Sequence, residues 1–451
     1  MKKVNAILVV VLLVSFALSG CAGNGAAPTP TPTQNEVSAS PNGIEPTKAP
    51  ANIELVIDSW RTDDAAGWEN TIIPAYESKH PGVTVKFDPV VNTEYGTTLT
   101  TKLQANTAGD IIMAEPYDYR VSLYQEGYLA KLNDIKGLDA NTDRYDEFAL
   151  SAWSTDNGDL FALPLAAASH GFIYNRTMFD KLGLKAPGTI DEFFKVCDAI
   201  KAAGYTPITF GTADDFIANV YGYSLVAPQF TKGEEGRLGL INGTKKFTDP
   251  EFVAAWQFLE DWIPYLPDGF QAISYADMQN LFASEKTLIW PAGSWDIGVF
   301  NKMVGNTFER GTFQVPVQNV GDPNYVCFHP DNGLALNAKS PNKDAAIEFL
   351  QWTTTEEFAQ LWNNTFPGFY TLSKSKVDIS DPLSAQMLSW TTTAAGCSPR
   401  IAYQYISRGD FNADAEITRL TNKMFAGDIT AQEAAEQMQA GFEAGYKPAA
   451  H

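Results

Sequence analysis

Apolar and polar positions alternate at Ile53, Leu55 and Ile57, and again at Val83, Val85 and Phe87. Period-two alternation predicts two strands. The stretch between them carries Trp68, Ile72, Ile73 and Tyr76 at helical spacing, so the segment reads as one βαβ unit. A right-handed crossover makes its strands parallel. Asp110-Ile111-Ile112-Met113 predicts a third short strand, and Thr206–Phe210 another further on. Later helix starts are marked by Thr189-x-x-Glu192, Thr248-x-x-Glu251, Thr354-x-x-Glu357 and Thr430-x-x-Glu433, which match capping boxes. Ser340-Pro341 reads as an N-cap followed by a first-turn proline. The order of elements predicts an α/β fold, and no internal repeat is present.

The longest apolar run lies at the start. Lys2 and Lys3 precede twelve residues, Ile7 to Leu18, broken only by Ser15. That is too short for a permanent membrane helix and reads as a signal peptide over residues 1–20. Leu18-Ser19-Gly20-Cys21 resembles the lipobox of bacterial lipoproteins, which implies cleavage before Cys21 and its lipidation. Residues 21–51 are rich in Gly, Ala, Pro, Thr and Ser and read as an extended tether. A Pro-rich docking ligand is the alternative reading of that stretch. The body is then expected outside the cell, anchored to a membrane by lipid.

About 400 residues remain, comfortable for two lobes and too many for one core. The net charge of −21 argues against nucleic acid, whose phosphates a binder must neutralise with Lys and Arg. Aromatic residues make up 12% of the chain, with ten Trp and eighteen Tyr. After Cys21, three cysteines are left, Cys197, Cys327 and Cys397, with no metal spacing. They read as free thiols, with a Cys327–Cys397 bridge open.

A family resemblance emerges in the middle of the chain. Asn157-Gly158-Asp159-Leu160-Phe161-Ala162-Leu163-Pro164 is followed by Gly171-Phe172-Ile173-Tyr174-Asn175-Arg176 and by Pro187-x-Thr189-Ile190-x-Glu192-Phe193. This resembles the signature of the family 1 extracellular solute-binding proteins of ABC transporters. Gly109-Asp110-Ile111, Phe282 to Thr287 with Gly293-Ser294-Trp295, Asn332 to Ala346, and Gly427 to Ala434 resemble further blocks in the same order. Gly109 stands where Pro is usual, Glu285 where Gly is usual, and Thr287-Leu288 where Ala-Met is common. Together the blocks cover about residues 52–447.

The resemblance implies two discontinuous lobes, 52–168 with 332–369 and 171–326 with 374–447. Three crossings fall near Ala167–Gly171, Tyr325–Asp331 and Tyr370–Lys376, with the ligand in the cleft between lobes. It implies a monomer that closes on its ligand and docks on permease subunits, with no cofactor and no catalysis. In open α/β sheets ligands meet the carboxyl ends of parallel strands. That rule selects Trp60, Arg61, Asp63 and Asp64 after the first strand, and Glu115 and Tyr117 after the third. The same rule adds Asp215 in the loop after Thr206–Phe210; the family's blocks and crossings add His170 at the first crossing, Trp295 and Asp296 in the second lobe, and Asp331 and Asn332 at the second crossing, while Arg400 and Phe411 lie in the last loop. The Gly-Ser-Trp tryptophan usually stacks on a sugar in this family.

Aromatic faces interleaved with carboxylates and a guanidinium suit a mono- or oligosaccharide, whose C–H faces pack on rings and whose hydroxyls need planar partners. Plainer readings stand beside these. Trp256 and Trp262 sit at helical spacing and read as core, as do Trp352 and Trp362. Asp63 and Asp64 can cap the next helix, and His170 can be a structural hinge residue. Two other classes stay open: a binder of a non-sugar solute, and a carbohydrate-active enzyme pairing Glu115 with Asp215.

Overall fold

The computed structural model describes residues 52–138, 144–407 and 410–446. Cys21, the signal segment and the tether lie outside them. Among the described residues no helix is long and apolar enough to cross a membrane.

Alternation becomes geometry at β1 (Ile53–Ser59) and β2 (Val83–Pro89), which pair in parallel. The strand β3 (Ile111–Ala114) joins β1, also in parallel. Gly109 explains its own departure from the family pattern. Its N–H donates to Asp58 Oδ2 at 2.6 Å, a bond proline cannot make, and a Cβ there would lie 2.6 Å from the Val56 carbonyl.

The centre of the sheet is built by two long strands, β4 (Leu163–Asn175) and β8 (Tyr325–Leu336). The first half of β4 pairs antiparallel with β8, from Leu163 opposite Leu334 to Ser169 opposite Phe328. From His170 onward β4 changes partners. It then runs against β6 (Thr287–Gly293) and β7 (Arg310–Phe313). The short β5 (Thr206–Ile208) closes that side in parallel with β6. β3 pairs with the end of β8, while β9 (Tyr370–Thr371) lies on β4 and β10 (Gly396–Ser398) on the start of β8. The principal order is β2-β1-β3-β8-β4-β6-β5. Partner exchange along β4 and β8 thus divides the pairings into a β1-β2-β3 group and a β5-β6-β7 group.

Capping chemistry holds at Thr189 and Thr430, where both arms of the box form. It shifts by one at two other starts. Asp249 holds the N-cap position of Pro250–Glu260, since Pro250 supplies the first-turn residue that lacks an N–H, but it makes no side-chain cap bond and its carboxylate accepts from the Lys246 N–H at 3.0 Å. Thr355 accepts from the Phe358 N–H ahead of Glu356–Thr365, displacing Thr354. Ser340 is not a cap. Its hydroxyl donates to Asp110 at 2.6 Å, and the helix starts at Lys343. Trp256, Trp262 and Trp362 are fully buried and Trp352 nearly so. All three described cysteines are free. Cys397 registers with Val326 and Cys327 with Ser398, so strand alternation sends the two thiols to opposite faces.

Candidate functional site

A cleft of about 520 Å³ opens where strands end. β1 ends at Ser59 and delivers Trp60, Arg61 and Asp63 to its wall; β3 ends at Ala114 and delivers Glu115 and Tyr119. Opposite them, β6 ends at Gly293 and delivers Trp295. Asp331 enters from β8, and Arg400, Tyr403 and Asp414 from the last third of the chain.

Trp295 has a prepared seat. Its ring lies over Gly293, where a Cβ would come within 2.1 Å of Cζ2. Its Nε1–H donates to the Tyr221 hydroxyl at 2.7 Å, and the Arg400 guanidinium stands 5.7 Å from its ring centre. Ser294 fastens this turn to the first crossing: it exchanges bonds with Ser169, 2.7 and 3.0 Å, and donates to the Gly368 carbonyl.

Charge in the cleft is mixed and partly spoken for. Arg61 forks onto Asp64 with bonds of 2.8 and 3.1 Å, and Glu115 pairs with Arg120 at 2.6 Å. Burial raises the Glu115 carboxyl above its usual range, with Arg120 opposing. Burial also raises Asp331, against the pull of Arg400 and Arg61, and Asp414, against the hydroxyl of Tyr119. Arg400 stays charged beside Tyr403 and Asp331. The wall therefore offers acceptors, two cations and several ring faces.

Seven residues selected from the sequence line this cleft: Trp60, Arg61, Asp63, Glu115, Trp295, Asp331 and Arg400. The other seven lie off it, each for a physical reason. The Asp64 carboxylate is consumed by Arg61, and the residue faces a smaller cavity with Phe366 and Phe369. Tyr117 adopts φ +55° and turns away. His170 is buried against His329, Nε2 to Nε2 3.0 Å. Since His329 Nδ1 must donate to the Pro330 carbonyl at 2.8 Å, its Nε2 accepts from His170. Burial pushes both imidazoles well below their ordinary value, so the pair is neutral and structural.

Asp215 is exposed, and Asp214 lines the cleft in its place. The Glu115–Asp215 acid pair therefore has no shared space. Asp296 is wholly buried and accepts from Tyr275 at 2.7 Å, Trp290 at 2.9 Å, Gly293 at 3.0 Å and Tyr221 at 3.1 Å. It braces the wall from behind. Asn332 is buried, because neighbouring strand residues present opposite faces and Asp331 takes the cleft side. Phe411 packs on Phe442, ring centres 5.7 Å apart, and is core.

Tyr119, Tyr221, Tyr275, Tyr403 and Asp414 also line the cleft, none of them marked by a strand end or a family block in the sequence. A signal existed for Tyr275. Ser274-x-x-Asp277 forms a capping box, and Tyr275 and Gln279 then share one helix face at i, i+4. Tyr221 sits in a π-helical turn, Ala218–Tyr223, a local form frequent at functional sites.

An α/β sheet with strand ends converging on a mixed aromatic and polar cleft defines a solute-binding architecture. Residues 59–360 match the family model of bacterial extracellular solute-binding proteins, and the chain belongs to that family. It is 29% identical over 306 residues to the multiple sugar-binding protein of Streptococcus mutans, covering 64% of this chain and 68% of that one. It is 26% identical over 201 residues to the melibiose/raffinose/stachyose-binding protein MelE of Bacillus subtilis, 43% and 45% of the two chains. The solved solute-binding protein RafE in complex with raffinose superposes with a TM-score of 0.70 at 23% identity, over 87% of this chain and 99% of that one.

Proposed function

We propose that this protein captures a sugar or short oligosaccharide outside the cell and hands it to the permease of an ABC importer. The observation that carries this reading is the cleft wall. Trp60, Trp295, Tyr275 and Tyr119 supply ring faces, while Asp63, Glu115, Asp331 and Arg400 supply planar polar groups. A pyranose needs both at once. The sugars for which the Streptococcus and Bacillus relatives are named point the same way.

The mechanism is closure of two lobes, 52–168 with 332–369 against 171–326 with 374–447. The exchange of partners along β4 and β8 supports this division, since those strands are the continuous links between the two pairing groups. Ligand touching both lobes biases the closed form by its extra contacts there. A thermal-shift screen of the purified protein against mono- and oligosaccharides tests the ligand class. A sugar at 100 times its Kd stabilises by about 2.7 kcal/mol. Small-angle scattering of a hit then shows a smaller radius of gyration with unchanged secondary structure. Silence across the sugars, with a shift from an osmolyte or polyamine, overturns the ligand class; an unchanged radius at saturation overturns closure.

Anchoring rests on the Leu18-Ser19-Gly20-Cys21 junction and the tether after it. The expected result for Cys21→Ala is a protein left unprocessed or shed into the medium. Retention of the fully processed variant in the membrane fraction, at wild-type level, removes the lipid anchor from this account.

A further inference from the structure

A second cavity, of about 590 Å³, lies beyond a layer of tyrosines at one end of the cleft. Tyr119 and Tyr403 face the cleft, and Tyr117 faces the second cavity. Tyr403 stands 5.7 Å from Tyr117 and 5.6 Å from Tyr119, ring centre to ring centre. The walls carry the hydroxyls and carboxamides of Gln125, Ser151, Ser154 and Asn157, which both donate and accept, and the carboxylates of Asp118 and Asp156.

Backbone strain singles this cavity out. Six non-glycine residues among those described have positive φ. Asn106 and Lys232 cap helix C-termini, and Glu285 follows the end of the helix Tyr275–Ala283. The other three are Tyr117 at +55°, Gln404 at +48° and Tyr405 at +68°, and all three line the second cavity. Such conformations are strained for residues with a side chain and persist only where neighbours impose them.

The neighbours are present. The Tyr117 N–H donates to the Ala152 carbonyl at 2.6 Å. Buried Arg237, forked by Glu234, donates to the Tyr403 carbonyl at 3.0 Å and reaches that of Gln404 at 3.5 Å. The Tyr405 N–H crosses to Asp118 Oδ2 at 3.0 Å. Two separate loops are thus held at a cost to form opposing walls.

We propose that this cavity is an outer subsite that receives the end of an oligosaccharide longer than the cleft, with the Tyr117–Tyr119–Tyr403 layer as the stacking surface it passes over. The inference rests on the sugar reading and deepens it: the protein selects for chain length. Rings of successive sugar units pack on aromatic faces, and the polar wall, with the carboxylates of Asp118 and Asp156 among its acceptors, meets their hydroxyls.

Calorimetric titration tests this with the full-length protein, melibiose, raffinose and stachyose, and xylo-oligosaccharides of two to five rings. In the series that binds, affinity rises about tenfold or more at the unit that first reaches the second cavity. Asn157→Trp, on an exposed turn, fills the cavity and removes that step while the shorter sugars bind as before. Gln404→Gly, which accepts the positive φ without strain, removes most of it with the melting temperature held. A step that survives both variants, or short sugars binding with no step at all, overturns the subsite and leaves the sugar reading intact. Failure of every length to bind overturns both.

Discussion

Trp295→Ala is expected to weaken sugar binding by roughly 30- to 1000-fold, the 2–4 kcal/mol of an interface hot spot. The ring is 7% exposed, and what it exposes borders the cleft. It is fixed before ligand arrives: Gly293 beneath it, Tyr221 holding its N–H, Arg400 over it. A platform already immobile loses little entropy when a sugar stacks on it. Truncation removes the face and frees Arg400 from its seat.

Trp256 is the control that separates binding from folding. It is fully buried, stacked on Tyr223 with ring centres 4.0 Å apart, and its N–H donates to Thr421 at 3.0 Å. Trp256→Ala should cost about 3–5 kcal/mol of stability and leave the folded fraction binding normally. Titration and melting curves run side by side decide the matter. Normal affinity in Trp295→Ala, or a stability loss as large as that of Trp256→Ala with affinity kept, makes Trp295 a core residue and removes it from the site.

Much of the frame was legible because its signals are local. Alternation at Ile53–Ile57 and Val83–Phe87 needs only a buried face, and both runs became paired parallel strands. Helix starts drifted by one where two capping residues stood side by side, as at Thr354-Thr355, since only backbone geometry chooses between them. The cleft was legible where a strand ends in it. Trp60, Glu115 and Trp295 each follow a strand by one or two residues. Side-chain parity was not legible: Asp331 over Asn332 and Asp214 over Asp215 are decided by backbone direction. Tyr221 and Asp414 were out of reach for another reason, since their approach depends on long-range packing.

Asp296 has the larger pH signature. Burial raises its carboxyl to about 7, with Tyr275, Trp290, Gly293 and Tyr221 donating to it and limiting the rise. In the unfolded chain the same group ionises near 4. Between those values the folded protein holds a proton that the unfolded chain has lost, so stability falls as pH rises through the window and levels off above about 7. Three pKa units correspond to about 4 kcal/mol, or roughly 5 °C in melting temperature for a body of this size. Asn fits the site. Its oxygen can face the obligate donors Trp290 and Gly293, and its amide can donate to the Tyr221 and Tyr275 hydroxyls, which reverse roles. Asp296→Asn should therefore fold and lose that fall, so the wild type gains on the variant as pH drops from 8 to 4. Taking the difference between the two melting curves cancels the titration of Glu115, Asp331 and Asp414. Parallel curves across that range would mean that Asp296 is ionised throughout, its four donors outweighing burial.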